Sequence, residues 1–139
     1  MTLEKRTTIL IVEDDLIINN TYSEELRSEG FVVLSAENGK VGLDFALQEK
    51  PDIILLDILM PVMDGFTMMD KLRATNEYGK NVPIILLTDL SPDEDKVIQA
   101  IKKNEPEYFL VKSDWDISRV VVKLKERLMP HFEIDEKAL

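Results

Sequence analysis

At 139 residues, 45% hydrophobic and 32% charged, the chain can bury one core without staples and is too apolar to be a disordered segment. Its net charge of −10 opposes a nucleic-acid backbone or an anionic membrane as a direct partner. With no cysteine, it has no disulfide, thiolate metal site or thiol nucleophile.

Thr8–Val12 is a β-branched apolar run and reads as a first strand, closed at once by Glu13, Asp14 and Asp15. That run is too short for a signal peptide, and no stretch reaches the roughly 20 apolar residues of a membrane span. The expected location is cytoplasmic. Residues 16–29 place Ile18, Tyr22 and Leu26 on one helical face, and Gly30 ends that helix. Residues 31–36 read as a second strand. Asn38 caps a helix over Gly39–Glu49, which stops before Pro51.

The next stretch is the centre of the chain. Ile53, Ile54, Leu55 and Leu56 form an apolar run that ends on Asp57 and a loop punctuated by Pro61 and Gly65. Such a run reads as a strand buried on both faces. Asp64 caps a helix over residues 65–74, and residues 76–81 read as a polar loop. Residues 83–88 repeat the buried-strand pattern and end on Thr88. Ser91, Pro92, Asp93 and Glu94 signal a helix start, with Val97, Ile98 and Ile101 facing inward. Tyr108–Val111 is a fifth strand, followed by Lys112. A last helix over residues 116–128 carries Ile117, Val121, Leu124 and Leu128 as its buried stripe, and Pro130 stops it. Residues 1–128 thus form one domain, and residues 129–139 are a short acidic tail or linker stub.

Five strands alternating with helices imply an α/β fold with a parallel sheet, right-handed crossovers and helices on both faces. The flavodoxin-like (βα)5 arrangement with strand order 2-1-3-4-5 suits such units. In a parallel sheet every strand C-terminus lies on one edge, so Glu13, Asp14, Asp57, Thr88 and Lys112 converge there. Two carboxylates about 4 Å apart repel by roughly 4 kcal/mol at an effective dielectric of 20. Clustered acids therefore need a counter-charge, most naturally Mg²⁺ keeping several waters. Singly, each residue has a plainer explanation: Asp57 as a turn cap, Glu13 and Asp14 as helix-start acids, Thr88 as a strand residue and Lys112 as a solvated charge. Jointly, they form a site in which a carboxylate can attack phosphorus.

The runs Ile9 to Asp15, Pro51 to Gly65, Ile84 to Thr88 and Phe109 to Lys112 resemble the receiver domain of two-component response regulators, over about residues 7–128. The resemblance implies Asp57 as phosphoacceptor, Asp14 as direct metal ligand, and Glu13 as an acid holding the metal through water. It implies the Leu59 backbone carbonyl as third protein ligand, Lys112 as the phosphate-binding lysine, and Thr88 with Phe109 as a switch pair. Implied with them are Mg²⁺, a sensor histidine kinase or histidine phosphotransfer protein as donor, and a downstream protein target. The signalling face would combine the fourth helix, fifth strand and fifth helix. No catalysis is expected beyond self-catalysed phosphotransfer and autodephosphorylation.

Some residues depart from that pattern. Asp89 follows Thr88 where a small residue is usual, and Ser113 replaces a proline, so a trans bond is expected there. Glu105 and Pro106 replace a small pair, and Phe109 lacks the hydroxyl many relatives carry. Met60, Met63, Met68 and Met69 read as core filling rather than a partner surface. His131 is assigned no role. Alternatives are a phosphorylation-independent interaction receiver, a fragment of a larger regulator or hybrid kinase, an aspartate-nucleophile phosphohydrolase and a flavin carrier. The phosphohydrolase lacks its second acid, since Leu59 stands two residues after Asp57. The flavin carrier would seat its phosphate against three acids.

Overall fold

A computed structural model describes residues 6–91 and 93–128. Thr8–Val12 (β1), Val32–Ala36 (β2), Ile53–Leu56 (β3), Ile84–Thr88 (β4) and Tyr108–Val111 (β5) form one parallel sheet in the order β2-β1-β3-β4-β5. Every residue of β3 and β4 is buried. Burying a Leu or Ile side chain contributes about 1.5–3 kcal/mol, so strands apolar on both faces belong in the middle of the sheet. β2, with Val32 and Ser35 exposed, and the half-buried β5 take the edges.

Side chains alternate between two cores. Ile9, Ile11, Leu55 and Leu87 pack against Tyr22 and Leu26 of α1 (Leu16–Ser28) and against Val121 and Leu124 of α6 (Ile117–Leu128). On the opposite face, Leu10, Ile54 and Leu86 pack against α2 (Gly39–Glu49), α3 (Gly65–Thr75) and α5 (Asp95–Asn104). Met68 and Met69 are fully buried in this second core, with Met60 and Met63 partly buried against it, so the methionines fill space.

Residues 76–81, expected as a polar loop, hold the short helix α4 (Glu77–Asn81). Asn76 caps it, accepting the Gly79 N–H at 2.8 Å, and the Tyr78 hydroxyl donates to the Pro51 carbonyl at 2.7 Å. Gly79 lies so close to the Leu72 carbonyl that a Cβ would collide with it. Five residues are too few for a hydrophobic period, so only packing reveals this helix. Because of it, the fourth and fifth helices expected from sequence are α5 and α6.

Helix α5 begins at Asp95, later than the Ser91 signal suggested. The Ser91 hydroxyl instead accepts the Asp93 N–H at 3.2 Å, making a local turn, and Glu94 takes the cap position without a side-chain bond. Val97, Ala100 and Asn104 face inward, whereas Ile98 is 38% exposed. Glu105 closes this helix in the left-handed region at φ 46°. The bond after Lys112 is trans, as expected. Pro92, Pro130, His131 and the tail over residues 129–139 lie outside the described residues.

Candidate functional site

Strand register builds the site. Val12 pairs with both Leu56 and Ala36, so Glu13 and Asp57 follow adjacent strands out of the sheet side by side. The Asp57 N–H donates to the Val12 carbonyl and the Glu13 N–H to the Ala36 carbonyl, each at 3.0 Å. Both side chains are buried, whereas Asp14 is exposed. One carboxylate oxygen from each of Glu13, Asp14 and Asp57 lies within 4.8 Å of the other two.

Lys112 reaches this group from the end of β5. Its Nζ donates to Glu13 Oε1 at 2.6 Å and to Asp57 Oδ2 at 3.1 Å, with its side chain only 18% exposed. Asp57 Oδ1 accepts the Ile58 N–H at 2.7 Å. Burial pushes the Glu13 carboxyl up to about 8, Asp57 adds to the rise, and Lys112 opposes it. Burial alone would lower the Lys112 ammonium, but its bond to Glu13 and the two negative charges outweigh that, and the net shift is upward.

Thr88 is fully buried at the end of β4, and its Oγ1 accepts the Leu90 N–H at 3.4 Å. Leu86 pairs with Phe109. Thr88, two residues after Leu86, therefore shares a sheet face with Phe109, which packs against the second core. Leu59 stands in the loop after β3 and is 58% exposed. Asp89 is exposed. The structure therefore gathers Glu13, Asp14, Asp57 and Lys112 in one cluster, with Thr88 and Phe109 on the adjoining strands.

The donor set fits a hard divalent cation. It is all oxygen, it carries three acids against one lysine, and Glu13 Oε2 is buried with no hydrogen-bond partner among the described residues. A buried acceptor left unpaired costs about 1–3 kcal/mol, more if charged. A cation, or a water bound to one, would satisfy it.

A family model described as the response regulator receiver domain matches residues 9–125. The chain belongs to that family. It is 32% identical over 120 residues to the DNA-binding dual master transcriptional regulator RpaA of Synechocystis, covering 86% of this chain and 48% of that protein. This receiver thus spans about half the length of that relative. Protein PilH of Pseudomonas aeruginosa is 39% identical over 89 residues, covering 64% of this chain and 73% of PilH. Among solved structures, chemotaxis protein CheY4 of Vibrio cholerae superposes with a TM-score of 0.77 at 27% identity, covering 88% of this chain and 98% of that one. No described helix is long and apolar enough to cross a membrane.

Two residues shape the receiver site in ways that sequence reasoning did not assign to them. A Cβ on Gly65 would collide with the Asp57 carbonyl, so only glycine lets α3 start this close to the acid. Asn19 is buried on α1 and donates to the Glu13 carbonyl. The signal available for Asn19 was a polar residue interrupting the stripe of Tyr22 and Leu26.

Proposed function

We propose that this receiver accepts a phosphoryl group on Asp57 from a phosphohistidine of a sensor histidine kinase or a histidine phosphotransfer protein. The reaction would require Mg²⁺. The observation that carries the reading is the cluster itself: three carboxyl groups within reach of one ion, with Lys112 bridging Glu13 and Asp57.

In the transfer, a carboxylate oxygen of Asp57 forms the new bond to phosphorus in line as the P–N bond of the phosphohistidine breaks. The electron pair of that bond returns to the imidazole nitrogen. Glu13, Asp14, Asp57 and the Leu59 carbonyl would hold the divalent ion, which neutralises charge on the phosphoryl oxygens. Lys112 exchanges an Asp57 oxygen for a phosphoryl oxygen. Thr88 accepts from Leu90 and so keeps its own hydroxyl proton, which it donates to another phosphoryl oxygen. As Thr88 moves inward, Phe109 turns into the space it leaves. That local change biases the face built from α5, β5 and α6 toward a state that binds a protein target. Water attack on phosphorus then releases phosphate and restores the carboxylate. The chain's own chemistry ends there, and further output belongs to protein partners in the cytoplasm or to a longer protein containing this receiver.

Incubation with acetyl phosphate and Mg²⁺, followed by intact mass, tests this. Wild type gains one phosphoryl adduct, while Asp57→Ala and chelator-treated wild type gain none. An adduct that survives Asp57→Ala sinks the assignment.

A further inference from the structure

Asn19 is 3% exposed and lies on the inward face of α1, where an apolar side chain would be expected. Its Nδ2 donates to the Glu13 carbonyl at 3.0 Å and to the Ala36 carbonyl at 3.2 Å. The Glu13 N–H donates to that same Ala36 carbonyl at 3.0 Å. One amide group therefore ties the exits of β1 and β2 to α1. Meanwhile the backbone N–H of Asn19 donates to the Asp15 carbonyl at 2.9 Å. That last bond is the ordinary first turn of α1 and would form with any residue here, so the part special to Asn19 is its amide on the Glu13 and Ala36 carbonyls.

The amide is itself held in place. Its Oδ1 accepts from the Ser23 hydroxyl at 3.2 Å, and Ser23 lies 2.9 Å from the Ser35 hydroxyl. Turning the amide over would set an oxygen against two carbonyls.

Asp14 makes this matter. Among the described residues no hydrogen bond to its carboxylate is formed, and it is exposed, yet one of its oxygens lies within 4.8 Å of Glu13 and Asp57 oxygens. The Glu13 carbonyl belongs to the peptide plane that leads into Asp14, so holding that plane fixes the point from which the Asp14 side chain departs and limits where its carboxylate reaches. We propose that Asn19 is a positioning residue for the divalent cation. It fixes the Glu13–Asp14 peptide so that the two acids and Asp57 present their oxygens to one ion. The proposal rests on the cation reading above. A merely structural role, satisfying two strand-end carbonyls, would cost stability and leave ion affinity alone.

Binding of Mn²⁺, followed by loss of the free-ion electron paramagnetic resonance signal, separates these. Asn19→Ala is expected to weaken Mn²⁺ by about 10-fold or more, the range typical of groups that orient metal ligands. Ser35→Ala, whose hydroxyl meets Ser23 at the exposed end of the same polar row, is expected to lower the melting temperature slightly and leave Mn²⁺ affinity within about twofold of wild type. Asn19→Asp keeps the size and the Ser23 bond, loses both donors and adds a negative charge, so the sign of its effect decides. Weaker binding supports positioning, whereas tighter or unchanged binding overturns it. Because Asp57, Thr88 and Lys112 are untouched, saturating Mg²⁺ should restore the rate of reaction with acetyl phosphate in Asn19→Ala. If the Ala variant does not fold, the Asp variant carries the test. Wild type that binds no Mn²⁺ removes the cation reading itself. Wild type that binds, with Asn19 variants that bind equally well, removes only the role of Asn19.

Discussion

Two half-buried cations organise opposite parts of this receiver. Arg73 sits where α3, α4 and α5 meet, donating through Nε to the Asn104 carbonyl at 3.0 Å and through Nη1 to the carbonyls of Gly79 and Val82 at 3.0 and 2.6 Å. Asn104, itself buried, donates to Asp70 at 2.8 Å. Burial lowers the Arg73 guanidinium, and nearby acids oppose that. Lys112, by contrast, faces two carboxyl groups with a third close by, and a buried Glu13 oxygen has no partner among the described residues. The hydrogen bonds of the Arg73 guanidinium go to neutral backbone carbonyls. The Lys112 cluster has excess negative charge and an unmet acceptor. One arrangement holds structure together, and the other keeps acids close to one another at a cost in stability.

The contrast can be broken by mutation. Lys112→Ala should slow phosphorylation by acetyl phosphate by about 10²–10³-fold, the loss typical of a group that stabilises developing charge. Stopped-flow or mass kinetics at saturating Mg²⁺ would measure it, and an unchanged rate would separate Lys112 from the chemistry. Arg73→Ala should do the reverse. Leaving three carbonyls without their donor is expected to lower stability by about 3 kcal/mol in urea unfolding, with the phosphorylation rate at saturating Mg²⁺ retained.

A smaller effect follows from Glu13. Its folded value is raised above the usual carboxylate range, so the native protein keeps a proton that the unfolded chain releases. Ion-free stability should therefore fall as pH rises from the carboxylate range toward about 8. Mg²⁺ binding requires the deprotonated acid, so the rise in melting temperature caused by excess Mg²⁺ should be larger near pH 8 than near pH 6. Equal rises at both would mean that Glu13 does not exchange its proton for the ion. The smallest expected effect is at α4, where Asn76→Ala removes the cap on Gly79 and should cost about 1 kcal/mol without altering phosphorylation.

Much of the fold was legible because each strand and most helices announce themselves locally. Ile53 to Leu56 and Ile84 to Leu87 are apolar on both faces, which places them centrally, and the breakers around them mark their ends. Asn38 and Asp64 cap their helices as their positions suggested, accepting the N–H groups of Val41 and Thr67. The acids and Lys112 were legible for a different reason: parallel strands force their C-terminal residues onto one edge. Local signals failed where two of them competed. Ser91 resembles a helix cap but makes a turn, and Ile98 fits an inward period yet lies at the exposed margin of α5.

What the amino-acid order determined alone is the set of buried strands, their alternation with helices, and the chemical types that reach the sheet edge. Tertiary structure alone decided α4, the Arg73 junction and the role open to Asn19. Each of these depends on carbonyls from segments distant in sequence meeting a donor at about 3 Å. Hydrophobic period is a property of neighbours along the chain, whereas the pairing of buried polar groups exists only after the chain has closed on itself.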